Sequence, residues 1–195
     1  YSGFSMNMNS QETSQPIVTV LDAEGNKIQE ISVSDFPESQ PFIRAIKHRT
    51  CLAFSPDRKL YLPYFAMNIV QVFDLDGKKI AQFKLPLPFE PITPKLEHQS
   101  SSEGIIQMMA STDTVSRAAQ VGADGKLYVL IHKESSHDLQ KKATKREDIP
   151  LAAMEIEIID PATYKVAGNI PCEPGTTVFS LLDKERLVYI YENRQ

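Results

Sequence analysis

Hydrophobic and polar positions alternate in short runs along most of the chain, and tight polar turns separate the runs in pairs. Such alternation is typical of half-buried β-strands joined as hairpins. One hairpin pattern occurs three times, as FSPDRKLYLPY (Phe54–Tyr64), VGADGKLYVLI (Val121–Ile131) and SLLDKERLVYIY (Ser180–Tyr191). Asp and Gly supply the turn chemistry. The third copy reads as one residue longer, and this alignment makes Tyr61, Tyr128 and Tyr189 equivalent packing residues whose hydroxyls need partners.

A second hairpin pattern alternates with the first. It reads VTVLDAEGNKIQEI (Val18–Ile31), VQVFDLDGKKIAQF (Val70–Phe83) and IEIIDPATYKVAGNI (Ile156–Ile170). Each copy has an Asp before its turn, and we predict that these carboxylates accept hydrogen bonds from turn amides: Asp22, Asp74 and Asp160. Gly25 and Gly77 stand where the turn needs a positive φ, and Thr163 replaces them in the third copy, so that turn must differ.

One hairpin of each kind makes a four-stranded antiparallel sheet with strands a, b, c and d. The order along the chain is c-d, a-b-c-d, a-b-c-d, a-b, in units at about 16–33, 50–85, 117–172 and 176–195. Repeated sheets of this kind predict an all-β protein, a β-propeller with about three blade equivalents in a single partial domain over residues 1–195. No stretch sustains a helical apolar period, and the best exception, Glu103–Ser111, predicts a short helix in a connector.

The motif SPDRKLYL followed by VQVFDLDGKKIAQF resembles the NHL-repeat and TolB-like six-bladed propellers of bacteria. The resemblance covers about half of such a ring. It implies either that further blades precede Tyr1 or that a second chain completes the ring, and we favour the first interpretation because three blades are too few to close. It also implies a periplasmic or extracellular surface location, commonly as a lipoprotein.

The long connections are distributed unevenly. All a–b and c–d turns are short, whereas the long segments are the d-to-a connectors Ser34–Arg49 and Leu85–Arg117 and the b–c loop His132–Ala152. In an antiparallel meander these three segments leave from the same end. Long loops are often functional, so we predict that this end of the propeller carries the binding surface.

The candidate binding residues lie in or beside these three segments. They are Arg44, His48, Arg49, His98, Arg117 and His132. Guanidinium groups form bidentate contacts with carboxylates, so the predicted partner is a protein, a peptide or a small anionic ligand. The alternative interpretation is that these are solvated loop residues. For Arg49 and Arg117, which each directly precede an a strand, the two interpretations are equally supported.

Composition and motif content argue against several classes of function. The formal net charge of −4 argues against nucleic-acid binding, and no apolar run is long enough for a membrane span. Cys51 and Cys172 have no metal-ligand spacing and are predicted to be buried free thiols. The predicted inner strands carry one amide, Gln120, and no carboxylate, and no catalytic, metal or cofactor motif is evident.

These observations favour a non-enzymatic binding module without catalytic residues, metal or cofactor. The alternative is a propeller hydrolase. The resemblance includes propeller lactonases that hold a divalent ion in the channel, and in this chain residues outside the sequence would have to complete such a site.

Overall fold

A computed structural model describes residues 18–31, 40–102, 105–144, 148–183 and 186–191, without the side chains of 97–109. These ranges contain fourteen β-strands and two short helices. The strands are β1 Val18–Leu21, β2 Lys27–Ile31, β3 Ala53–Phe54, β4 Lys59–Pro63, β5 Ile69–Asp74, β6 Lys79–Lys84, β7 Lys95–Ser102, β8 Ile105–Ser111, β9 Ser116–Val121, β10 Leu127–His132, β11 Met154–Ile159, β12 Val166–Cys172, β13 Thr176–Leu181 and β14 Leu187–Tyr191. The helices are α1 Pro41–Lys47 and α2 Ser136–Lys142.

Strand pairing is antiparallel throughout the described residues. Strands β3-β4-β5-β6 form one four-stranded sheet and β9-β10-β11-β12 another, which we call the first and second sheets. Strands β1–β2 form a hairpin that we call the first hairpin, and β13–β14 form one that we call the last hairpin. Strands β7–β8 form a further hairpin, which follows the first sheet and precedes the second sheet along the chain. The prediction of an antiparallel all-β protein is confirmed.

Three layers of apolar side chains hold these units together in chain order. The first hairpin packs on the first sheet through Val18 and Ile31. The opposite face of the first sheet packs on the second sheet. Tyr61, Val70 and Val72 of the first sheet share one buried cluster with residues of the second sheet, which are Leu127, Val129 and Ile131. The far face of the second sheet carries the last hairpin, in a cluster that includes Leu130, Ile156 and Phe179.

The first strands of the two sheets and of the last hairpin lie next to one another. Strand β9 of the second sheet is close to both β3 of the first sheet and β13 of the last hairpin. Face-to-face packing combined with adjacent first strands means that the two sheets and the last hairpin are arranged side by side with one common inner edge.

The turns use the predicted chemistry. The Asp22 carboxylate accepts a hydrogen bond from the backbone N–H of Asn26 at 2.7 Å, and Asp74 and Asp160 accept equivalent bonds in their own turns. Gly25 and Gly77 have φ values of 88° and 77°. In the third copy the positive φ of 55° falls on Tyr164, so this turn does differ.

The predicted alignment of the last hairpin is wrong by one residue. Val121 pairs with Leu127 and Leu181 pairs with Leu187, so both turns have the same length. Val188 is therefore the equivalent of Tyr61 and Tyr128. Tyr189 instead points toward the second sheet and packs there. The alignment by sequence was shifted because it matched Asp183 with Asp124, and Asp183 stands one position earlier in its turn than Asp124 does.

The structure also corrects what was expected of the long connecting segments. The predicted helix at Glu103–Ser111 is wrong, because Ile105–Ser111 is strand β8 and pairs with β7. An isolated helix of this length is only marginally stable in water, whereas β8 satisfies its backbone groups by pairing with β7. The other two long segments contain α1 and α2, each of seven residues.

The hydroxyl groups of the two equivalent tyrosines have different environments, which gives a testable difference. The Tyr128 hydroxyl donates to Asp124, whereas the Tyr61 hydroxyl is buried and has no hydrogen-bond partner among the residues that the structure describes. A buried unpaired hydroxyl costs free energy. We expect Tyr61→Phe to leave the free energy of unfolding unchanged or to raise it by up to about 1 kcal/mol, as measured by urea titration. Tyr128→Phe is the matched control and should lower it slightly.

Both cysteines are free thiols, as predicted, but they are half-buried where full burial was expected. Burial raises the pKa of Cys51 to about 11. Within the described residues, neither helix has the length and apolar content needed to cross a bilayer.

Candidate functional site

Strand direction places the long segments at one end of the two sheets. The a–b and c–d turns of the first sheet, at 55–58 and 75–78, lie at one end, and the start of β3, the β4–β5 loop and the end of β6 lie at the other. The second sheet repeats this arrangement. We call the end with the long segments the rim.

A continuous series of main-chain hydrogen bonds crosses the rim. The Phe65 N–H donates to the Arg49 carbonyl at 2.8 Å, the Val115 N–H to the Phe65 carbonyl at 2.6 Å, and the His132 N–H to the Val115 carbonyl at 2.9 Å. The Ser116 hydroxyl adds a bond to the Tyr64 carbonyl at 2.7 Å. Four segments that are distant in sequence are thus fixed side by side.

This series brings two of the predicted arginines to one aromatic ring. The guanidinium carbon of Arg49 lies 4.0 Å from the centroid of the Phe65 ring, and that of Arg117 lies 6.0 Å from it. Both arginines are exposed, and the ring is half-buried. Within the described part of the chain, no carboxylate lies within ion-pair distance of Arg49. Two cationic groups therefore share one platform that faces solvent.

His132 is the buried hydrogen-bond acceptor of Arg117. Its side chain is only 4% exposed, and its Nε2 accepts a hydrogen bond from the Arg117 Nε–H at 3.2 Å. Burial, and then the positive charge of Arg117, lower the pKa of His132 from 6.5 to about 4, although Asp113 opposes the shift. The imidazole is therefore neutral near pH 7. With Nε2 accepting, the proton resides on the buried Nδ1, which has no partner among the described residues.

The local backbone of β9 contributes to the position of Arg117. The pairing of β9 with β10 goes from Ala118–Leu130 directly to Ser116–Ile131, so Arg117 has no opposite residue. A β-bulge of this kind redirects a side chain, and bulges are frequent beside functional sites. We call Arg49, Phe65, Arg117 and His132 the rim site.

The remaining predicted residues are placed differently. Arg44 lies in α1, and His48 follows directly after that helix. The contacts that join Arg49, Phe65, Arg117 and His132 are made without either residue. His98 lies in β7 opposite Met109, and its side chain is outside the described residues. The structure thus brings together three of the six predicted residues.

Sequence reasoning missed two residues that organise this end of the molecule. Phe65 follows directly after the repeated b strand, and its position in a short loop could have indicated it. Asp113 is fully buried and accepts four hydrogen bonds, from the Ile92 and His137 N–H groups and the hydroxyls of two serines. The serines are Ser135 and Ser136. Asp113 occurs outside both repeats, so no pattern marked it.

Asp113 connects a d-to-a connector to the beginning of α2. Burial raises the pKa of Asp113, but hydrogen bonds from the His137 and Ile92 N–H groups and from the serine hydroxyls outweigh burial, so the pKa lies below its usual value. The carboxylate is therefore ionised at neutral pH and acts as a structural anchor for the loops around the rim site.

A second polar cluster lies between the two sheets. Lys133 Nζ contacts Glu155 at 2.6 Å and Glu157 at 3.5 Å. Burial, followed by the hydrogen bond with Glu155, raises the pKa of Glu157. Lys133 thus has two carboxylate partners, in contrast to the exposed arginines of the rim site. The described residues contain no group of three His, Cys, Asp or Glu side chains that could hold a metal ion.

A scan against models of protein families found no match. Searches of curated proteins and of solved structures likewise found none that is similar to this chain.

Proposed function

We propose that this chain is a sector of a β-propeller of the NHL-repeat or TolB-like kind, and that it acts at the periplasmic or extracellular surface of a bacterium. The face-to-face packing of four units, with β9 beside β3 and β13, supports the propeller arrangement. In such an arrangement the common inner edge becomes the wall of a central channel, and the rim site lies at its mouth.

The proposed function is non-enzymatic binding of a carboxylate-bearing ligand, either an acidic protein segment, a peptide or a small anion. The observation that carries this proposal is the pair of guanidinium groups over the single ring of Phe65. The guanidinium of Arg49 can form two parallel hydrogen bonds with one carboxylate, whereas Arg117, whose Nε–H donates to His132, adds a second positive charge beside it. The aromatic ring limits the conformations of both arginines, so less entropy is lost when a ligand binds.

The main-chain bonds across the rim make this site preformed. Arg49, Phe65 and His132 each contribute a backbone group to the same series, so the spacing of the side chains does not depend on the outer parts of the loops. A ligand with two carboxylates fits such a site better than one with a single carboxylate, because the site presents two positive charges.

Replacing either arginine should weaken the binding of a dicarboxylate probe at least tenfold. Each charge-assisted hydrogen bond is worth about 1.5–3 kcal/mol, and about 1.4 kcal/mol corresponds to a factor of ten. We would titrate the protein with glutarate, with a short peptide that contains two adjacent glutamates, and with glutaramide as the uncharged analogue. Binding would be followed by the NMR shifts of the arginine Nε–H groups and by calorimetry for Arg49→Ala and Arg117→Ala.

Lys78→Ala is the matched control, because it removes one positive charge from the c–d turn of the first sheet, at the end opposite the rim. This variant should bind the probes normally. Thermal denaturation should show that all three variants remain folded. Equal binding by the two arginine variants and the parent chain, or equal binding of glutaramide, would refute the proposed function.

A further inference from the structure

The last hairpin exposes an apolar face. Phe179, Leu181, Leu187 and Tyr189 pack against the second sheet, and the alternate positions point away from it. Those positions include Val178, Val188 and Ile190, which are 42%, 51% and 64% exposed. Within the described residues, β14 also has no strand along its outer edge. An apolar face beside an open edge marks an interaction surface.

A complementary surface exists at the opposite end of the same chain. The first hairpin covers only part of the first sheet and leaves Leu52 and Phe54 half exposed, at 50% and 51%. Phe54 pairs with Leu60, which packs toward the first hairpin, so these exposed side chains lie on that face of the sheet. Within the described residues, strand β1 has a neighbour on one side only.

The two complete sheets indicate the register in which strands of the two surfaces would pair. In both four-stranded sheets the b strand pairs with the c strand, and the same positions face each other: Tyr61 with Val72, and Tyr128 with Ile158. The equivalent positions in the hairpins are Val188 on the b strand β14 and Val20 on the c strand β1. Neither β14 nor β1 contains a charged residue or a proline, the usual protection of an edge strand that stays unpaired.

We propose that two copies of this chain associate through these surfaces, with β14 of one copy pairing antiparallel with β1 of the other and Val188 opposite Val20. Each contact completes a four-stranded sheet from an a–b hairpin and a c–d hairpin. Val178, Val188 and Ile190 of one copy then cover Leu52 and Phe54 of the other, repeating the packing that joins the two sheets within one chain. Because each copy has both surfaces, two such contacts close the pair.

One chain cannot make this contact with itself. Its first and last hairpins are separate sheets, and the first and second sheets lie between them. A second copy supplies the missing half on each side, and the resulting pair has six four-stranded units, the number that the proposed propeller type requires. Further blades of a longer chain, which were the favoured interpretation from the sequence alone, are the competing occupant of these surfaces. On that interpretation this 195-residue chain alone is a monomer.

The first test is the mass of the chain in solution, measured by light scattering and by sedimentation over a range of concentrations. We expect twice the chain mass of 21.9 kDa. Ile190→Lys should shift the mass to that of one chain, because it places a charge in the contact. Ile80→Lys, at an exposed apolar position on β6, is the matched control and should leave the mass unchanged. A monomeric parent chain, or a species larger than two chains, would overturn the proposal.

The second test determines the register. With Cys51 and Cys172 replaced by alanine, Val20→Cys and Val188→Cys are combined and the protein is oxidised. Residues directly opposite each other in a sheet have Cβ atoms about 4.5–5.5 Å apart, close to the span of a disulfide. We expect a covalent pair of chains on non-reducing gels. Each single cysteine, and Val20→Cys combined with Tyr189→Cys, should give much less. A stronger cross-link in the Tyr189 variant would contradict the register.

Discussion

Replacing Asp113 by alanine should lower the free energy of unfolding by about 3–5 kcal/mol, as measured by urea titration at pH 7. The side chain is fully buried and accepts bonds from the Ile92 N–H at 3.0 Å, the His137 N–H at 3.0 Å and the Ser135 hydroxyl at 2.7 Å. Its removal leaves buried donors without a partner, and it separates the connector before β9 from the start of α2.

Asp113→Asn distinguishes the contribution of the negative charge to stability from the contribution of the side chain's shape. The amide retains one oxygen but turns an NH₂ group toward N–H or hydroxyl donors, so we expect a loss between that of alanine and zero. Asp22→Ala is the control, because Asp22 accepts bonds in an exposed turn and its removal should cost much less. If Asp113→Ala and Asp22→Ala lowered stability equally, Asp113 would not be an anchor.

Stability should also fall as the pH decreases from about 6.5 to about 4, because of His132. In the unfolded chain this imidazole takes up a proton near pH 6.5, whereas in the folded protein it does so only near pH 4. Within this window the unfolded state binds more protons, so acid favours unfolding. Between pH 7 and pH 5 the expected loss from this one group is about 2 kcal/mol.

His132→Gln removes the titration and retains an oxygen that can accept from Arg117. Urea titrations at pH 5, 6 and 7 should show a weaker pH dependence in this variant than in the parent protein. The comparison stays above pH 5 because Asp113, whose pKa is lowered, loses its own stabilising contribution only as the pH falls through lower values. Identical slopes for the two proteins would mean that His132 is not buried in its neutral form.

The hairpins could be predicted from the sequence because their signals are local. Alternating side chains, an Asp before each turn and a glycine at a positive φ are all determined within about ten residues. The predicted units at about 50–85 and 117–172, which the structure shows as sheets over Ala53–Lys84 and Ser116–Cys172, depend on nothing more than pairing neighbouring hairpins. The last hairpin was misaligned because a single shifted Asp183 outweighed the equal turn lengths that only strand pairing reveals.

The rim site depends on contacts between distant segments, which the sequence shows only in part. Arg49 and Arg117 were indicated because both precede a strand at the predicted rim. Nothing local predicts that Phe65 lies between them, since the contact depends on the packing of the first sheet beside the second. Asp113 was missed because its four donors come from two segments of the chain that lie about 20 residues away on either side, at Ile92 and at Ser135–His137.

The main-chain bonds that join Arg49, Phe65, Val115 and His132 have a consequence for how this protein can change. They involve only backbone atoms, so almost any residue type except proline could replace the side chains at their donor positions without loss of the bonds. The segments that protrude beyond them can therefore vary in length and sequence while their bases stay in place. The β7–β8 hairpin lies between two of these joined positions in the chain, so its length and sequence can change while the bonds at Phe65 and Val115 are kept.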